Sequence, residues 1–252
     1  MKVVTYACSS AGRMRENNED SFVLNRLLCA PPQEKPEQSA SATGSGLQWY
    51  AVFDGMGGEL YGERASFAAA RALLHEGWKL RLGNAENKLR ALSHILNDAV
   101  LRELNGERGG CTMAVALLRG KTLYAAHAGD SRIYLYRADT LIRLTQDHTQ
   151  KAVLWSYGKR GKKEHLRSHV LMRYLGSDWM GGDLCETSQT NLRKGDRILI
   201  CSDGLTDMVD DAQILRRLSA ECDCQSTAEA LKKDALEKGG RDNITIVLTD
   251  VR

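Results

Sequence analysis

The sequence predicts an α+β protein, a four-layer α-β-β-α sandwich of two antiparallel sheets flanked by helices. Short apolar β runs follow one another through connections as tight as Arg119-Gly120-Lys121. Parallel crossovers need about a dozen residues or more, so these runs pair antiparallel. Helical periodicity is confined to one block after the first strands and one near the end of the chain. So many apolar strands bury their surface most economically as two stacked sheets with the helices outside.

In chain order, strand patterns at 20–28 and 47–53 bracket a segment holding all 3 prolines, Pro31, Pro32 and Pro36. With its Ser, Thr and Gly, the stretch from about 30 to 46 reads as an exposed insertion loop in a hairpin, tolerant of deletion. Residues 62–80 put Ala65, Ala68, Ala69, Ala72 and Leu73 on one helical face, and residues 86–104 do the same with Leu89, Leu92, Leu96, Ala99 and Val100. Asn105-Gly106 is a C-cap for the second helix. The runs 112–118, 122–128, 132–137 and 140–144 then read as a meander. After an irregular, charged segment, strands at 185–190 and 196–201, helices at 210–218 and 226–238, and a strand at 244–251 complete the chain.

A chain of 252 residues is long enough for a sizeable core, and with no composition shift it reads as a single domain over 1–252. Its 35 basic and 32 acidic side chains nearly cancel, which excludes a dominant polyanion-binding role and a polybasic membrane anchor. The seven cysteines are odd in number and contain no CxxC pair, so neither a disulfide framework nor a zinc site is expected. The N-terminus turns polar too early for a signal peptide, and no run approaches the length of a membrane helix. The expectation is a cytoplasmic monomer that binds neither nucleic acid nor membrane.

The informative residues are acidic and sit at strand ends: Glu19-Asp20 before SFVLN, Asp54-Gly55 after WYAVF, Gly129-Asp130 after TLYAAHA, Asp203-Gly204 after RILICS, and Asp242-Asn243 before ITIVL. Any one of them reads as a turn or cap aspartate. Together at the ends of packed strands they would repel and take up protons unless cations lay between them. Oxygen-only ligands select Mg²⁺ or Mn²⁺. Two such ions, typically about 3.5–4 Å apart, hold a bridging water that ionises near neutral pH, which suits phosphoester hydrolysis. Arg15, four residues before Glu19, offers a guanidinium fork for phosphate.

The ordered set G-x-M-R-x-x-N-E-D (12–20), VFDGMGG (52–58), GGCT (109–112), AGDSRIYLYR (128–137), LTQDHT (144–149), CSDGLTD (201–207) and GGRDNIT (239–245) resembles the metal-dependent (PPM) protein Ser/Thr phosphatases of type 2C, and most of all their compact bacterial members. The resemblance runs from about residue 5 to 250. It implies two Mn²⁺ or Mg²⁺ ions, with Asp54 bridging both, the Gly55 carbonyl on one, and Asp203 and Asp242 completing the other. Glu19 and Asp20 would hold metal-bound waters, and Arg15 would grip the substrate phosphate. A third, looser ion would sit at Asp130 or, less directly, Asp207. The implied reaction is direct attack of the bridging hydroxide on phosphoserine or phosphothreonine, with a phosphorylated protein as substrate and a cognate Ser/Thr kinase as the opposing partner.

Other readings remain open: a catalytically weak phosphoprotein-binding module, or a small-phosphoester hydrolase. Met56 stands where animal relatives carry a histidine proposed as general acid. His148 is the alternative acid, though its motif position reads as structural, and His127 reads as a hydrogen-bonded strand residue near the site. A flap at about 149–177, made basic by Lys159, Arg160, Lys162, Lys163 and Arg167, corresponds to the family's variable segment.

Overall fold

The computed structural model describes residues 1–29, 37–56, 61–152, 170–178 and 182–252. The basic cluster expected in the flap, and the prolines of the insertion, lie outside them.

Continuous apolar runs become strands here because both faces of each central strand are covered. In β5 (Gln48–Phe53), Trp49, Ala51 and Phe53 face the helices, while Tyr50 and Val52 point into the space between the sheets. The period-2 alternation of side chains is intact, but neither face meets water, so no polar residue marks it. Strand β8 (Met113–Arg119) repeats the division, with Met113, Val115 and Leu117 on one side and Ala114, Ala116 and Leu118 on the other.

One sheet runs β11-β10-β13-β14-β1-β4 and the other β12-β9-β8-β5-β2-β3, every pairing antiparallel. The first holds β1 (Lys2–Ser10), β4 (Glu37–Ser45), β10 (Arg132–Arg137), β11 (Thr140–Arg143), β13 (Arg197–Cys201) and β14 (Ile244–Val251). The second adds β2 (Ser21–Leu24), β3 (Leu27–Cys29), β9 (Thr122–Ala128) and β12 (Glu186–Asn191) to β5 and β8. A short pair, β6 (Gly55–Met56) and β7 (Gly110–Cys111), stands apart.

Helices α1 (Tyr61–Glu76) and α2 (Ala85–Leu104) cover the second sheet. Helix α3 (Asp203–Thr206), α4 (Asp211–Leu218) and α5 (Cys224–Glu237) belong with the first. Three apolar layers result, one between the sheets and one under each helical layer, as the four-layer prediction requires. Asn84 caps α2 by accepting from the Asn87 N–H at 2.9 Å, and Asn105 ends it at φ 48°. All seven cysteines are free thiols.

Four expectations change. The run at 20–28 divides into β2 and β3 because Asn25 takes φ 56° and turns the chain, its side chain accepting the Trp49 N–H at 2.9 Å. The helix predicted at 62–80 ends at Glu76 and continues as a 3₁₀ turn, Gly77–Arg81. The four runs from 112 to 144 are not one meander. After β9 the chain crosses to the other sheet at Gly129 (φ 110°), where β10 pairs with β13 on one side and β11 on the other.

The largest change concerns the insertion. Residues Glu37–Ser45, expected as exposed loop, form a nine-residue edge strand paired with β1 from Glu37↔Ser10 to Ser45↔Lys2. Strand β1 itself carried no expectation. The Ala and Gly residues of β4 have weak strand preference, and the open hydrogen-bonding edge of β1 supplies what propensity lacks. Deleting 37–45 is therefore expected to lower the thermal midpoint by roughly 10 °C, as the exposed β1 edge loses its partner. An unchanged midpoint in calorimetry would show that β4 adds nothing to the fold.

Candidate active site

Strand register brings the acidic residues together. Ser21 pairs with Phe53, so Asp20 and Asp54 leave adjacent strands side by side. Ser10 pairs with Ile244 and Cys201 with Ile246, which carries Asp203, Asp242 and the turn containing Arg15 to the same end of the other sheet. The crossing at Gly129 delivers Asp130 between them. A cavity of about 520 Å³ results, lined by Arg15, Glu19, Asp54, Gly55, Asp130, Asp203 and Asp242 among others. Asp20 is fully buried behind it, and Asp207 lines an adjoining cavity.

Close backbone approaches hold the walls. A Cβ on Gly55 would lie 2.3 Å from the Gly62 carbonyl oxygen, and one on Gly204 would lie 2.0 Å from that of Asn243. Only glycine lets α1 and the β14 entry pack this tightly against Asp54 and Asp203. The Asp54 N–H donates to Thr112 Oγ1 at 3.0 Å and its carbonyl accepts the Thr112 N–H at 2.8 Å. Ser202 Oγ donates to Asp20 Oδ2 at 2.9 Å, joining the end of β13 to the start of β2 across the two sheets.

The carboxylates crowd one another. Burial pushes Asp20 up to about 7, and the charges of Asp203 and Asp242 add to it. Burial also lifts Asp54 well above the usual carboxylate range, followed by Asp20, Asp203, Asp130 and Asp242. Asp130 rises to about 8 from burial and then from Asp203 and Asp147. Burial raises Glu19 as well, against the opposing charge of Arg15. Like charges this close cannot all ionise without compensation.

Arg15 is the compensating cation at the mouth. Its Nη2 donates to Asp242 Oδ2 at 2.7 Å, with both side chains open to solvent. That hydrogen bond, more than anything else, raises the Arg15 pKa.

Divalent cations fit this donor set. Every candidate ligand atom is oxygen, and Asp20 Oδ1 is buried with no hydrogen-bond partner among the described residues. The sequence profile described as Protein phosphatase 2C matches residues 6–153. The chain belongs to the protein phosphatase 2C family. It is 33% identical over 257 residues to the serine/threonine protein phosphatase PstP of Mycobacterium tuberculosis, covering 99% of this chain and 45% of that protein. The chain thus spans about half the length of that relative. It is 32% identical to the serine/threonine phosphatase stp of Listeria innocua, covering 79% of this chain and 82% of that one. The structure of the PstP catalytic domain in complex with 2 manganese ions superposes with a TM-score of 0.80 at 32% identity, covering 100% of both chains.

Within this phosphatase 2C fold several supporting residues escaped the sequence reading. Asn243 Oδ1 accepts the Glu19 N–H at 2.7 Å, and its Nδ2 donates to the carbonyls of Ala11 and Asn17. Ser202 and Thr112 hold Asp20 and Asp54 as described. All three lie inside motifs noticed for their aspartates, glycines or cysteine, and polar residues next to a metal-ligand candidate are the signal that would have found them.

The two histidines lie outside the cavity lining. His148 Nδ1 accepts the Gly129 N–H at 3.3 Å, and its ring stacks on His127 with centroids 4.5 Å apart. His127 Nε2 meets the Gln146 carbonyl oxygen at 2.7 Å.

Proposed function

We propose that this chain is a protein serine/threonine phosphatase that hydrolyses phosphoserine and phosphothreonine with two Mn²⁺ or Mg²⁺ ions. The observation that carries this reading is the convergence of buried and half-buried, mutually repelling carboxylates with one arginine at the cavity mouth. Family membership supports it, as does the two-manganese PstP structure.

In this reading Asp54 would lie between the two ions, with the Gly55 carbonyl on one and Asp203 and Asp242 on the other. Asp20 and Glu19 would orient the water around them, and Asp130 would hold a third ion, with Asp207 as the other candidate. The ions, when bound, supply Lewis acidity and an activated water for in-line attack on phosphorus. The chain's own residues do the rest. Arg15 donates its paired N–H groups to the phosphoryl oxygens, and the buried hydroxyl of Ser202 keeps Asp20 aimed inward. No cysteine nucleophile is needed, and Cys201 is buried in β13.

The partners that follow are a phosphorylated protein and an opposing Ser/Thr kinase, in a cytoplasmic setting. Among the described residues no helix is long and apolar enough to cross a membrane. The phosphoprotein-binding alternative is disfavoured because Asp20, Asp54, Asp203 and Asp242 are all present. A small-phosphoester hydrolase differs only in what lies beyond the phosphoryl group.

The test is hydrolysis of a phosphothreonine peptide and of para-nitrophenyl phosphate, with Mn²⁺ or Mg²⁺ and then with EDTA. Metal-dependent turnover favouring the peptide supports the proposal. Turnover of the aryl ester alone would favour the small-molecule reading, and no turnover with no metal bound would favour the binding module. Arg15→Ala is expected to raise KM for the peptide about 10-fold with a smaller change in kcat. A fall in kcat at constant KM would remove Arg15 from phosphate binding.

A further inference from the structure

The second cavity, about 890 Å³, adjoins the first and shares Arg15, Asp130, Asp203 and Asp242 with it. Its outer walls carry Arg132, Arg143, Lys151 and Arg241 against Asp147 and Asp207. Arg132 grips Asp147 with two hydrogen bonds, Nε to Oδ1 at 3.1 Å and Nη2 to Oδ2 at 2.9 Å. Arg143 Nη2 donates to the same carboxylate. One carboxylate between two guanidinium groups leaves a positive charge uncompensated. The Arg143 Nε is buried and, among the described residues, donates to nothing. Arg241, in the same lining, is exposed with no ion-pair partner among the described residues.

With Asp203, Asp242 and Asp130 committed to cations, the remaining wall has more positive than negative side chains. A concave, basic surface next to a phosphoryl site attracts a second anion. We infer that this cavity is a subsite for a second anionic group, carboxylate or phosphoryl, on the same peptide as the hydrolysed phosphate. An extended chain advances about 3.3–3.6 Å per residue, so a group seated in the adjoining cavity belongs to a residue near the phosphorylated one in the peptide. The inference rests on the phosphatase reading and deepens it, since it names an acidic or multiply phosphorylated segment as the preferred substrate.

The experiment compares phosphothreonine peptides that differ at one position, three residues from the phosphate: Asp, a second phosphothreonine, Ala or Lys. Wild type, Arg143→Gln and Arg241→Gln are assayed on each, with para-nitrophenyl phosphate as the reference. A labelled non-hydrolysable phosphonate version of the Asp and Ala peptides is titrated by fluorescence anisotropy in parallel.

Wild type is expected to prefer the anionic peptides about 10-fold over Ala in kcat/KM, mostly through KM, and to disfavour Lys. Each variant should shrink that preference, with aryl phosphate turnover unchanged, and raised salt should shrink it too. The ratio between the Asp and second-phosphothreonine arms identifies the natural anion. Equal rates on all four peptides, or a preference that both variants keep, would overturn the subsite while leaving the phosphatase reading intact. Tighter anisotropy binding of the Asp peptide without any metal-dependent turnover would support the subsite and overturn the phosphatase reading.

Discussion

Asp54→Asn is expected to lower metal-dependent phosphate release by at least about a thousandfold while making the metal-free protein more stable at pH 8 than wild type. The first effect follows from the place proposed for Asp54 between two cations. An amide in that position keeps the shape and loses the charge that holds both ions, and with it several kcal/mol of stabilisation of the developing phosphoryl charge. The second effect follows from crowding. Burial raises the Asp54 pKa most, and Asp20, Asp203, Asp130 and Asp242 raise it further, so an ionised Asp54 destabilises the metal-free fold. Removing that charge relieves the strain. At about 2–4 °C per kcal/mol for a chain of this size, the gain is readable in a thermal scan. A variant that melts lower than wild type in EDTA at pH 8 would show that Asp54 is compensated by something other than cations.

Metal-free wild type is expected to lose stability as pH rises from 7 to 8, and added Mn²⁺ to restore it, with the larger shift at pH 8. A carboxyl whose folded pKa is raised holds its proton in the native state where the unfolded chain has released it. Its contribution is complete below the ordinary carboxylate pKa and disappears as pH climbs through the folded value. For Asp20 that value is about 7 and for Asp130 about 8, while Asp54 lies well above its ordinary range.

Each group still titrating contributes a decline of about 1.4 kcal/mol per pH unit. The window matters because His127 and His148 act the opposite way. Burial lowers both, His148 to about 4, so they cost stability only below roughly pH 6.5, where the unfolded imidazole gains a proton. Above about pH 8.5 the buried thiols of Cys8 and Cys201, raised to about 12, would add their own decline. Denaturant titrations in EDTA at pH 7 and 8 measure the slope, and Asp54→Asn should flatten it. Stability that rises with pH in this window would mean that the carboxylates are already compensated without metal.

The central strands and the helices over 62–104 were legible because each is specified by its own residues. Apolar, isoleucine-rich runs such as RILIC and ITIVL are too short for a helix and bounded by polar residues, which marks them as buried strands, and the alanine and leucine spacing of α1 and α2 has one period. Asp54, Asp203 and Asp242 were legible for a related reason: each lies within two residues of such a strand, so finding the strand end finds the aspartate. Asn25 was harder to read, because one residue in the left-handed region splits an otherwise continuous apolar run.

Sequence alone determined the layer architecture, the acidic strand ends and the oxygen-only chemistry that they imply. These depend on residue type and local order, which survive in one dimension. Tertiary structure decided that Glu37–Ser45 is a strand, because its hydrogen-bonding partner is β1, nearly thirty residues earlier at the nearest pair and more than forty at the farthest. It decided that the chain changes sheets at Gly129 and so presents Asp130 to the cavity. It also decided that Asp20 lies buried behind that cavity while Asp54 lines it. Pairing across a sheet and repulsion between carboxylates act through space, between residues as far apart as Asp20 and Asp242, and only the folded chain sets those separations.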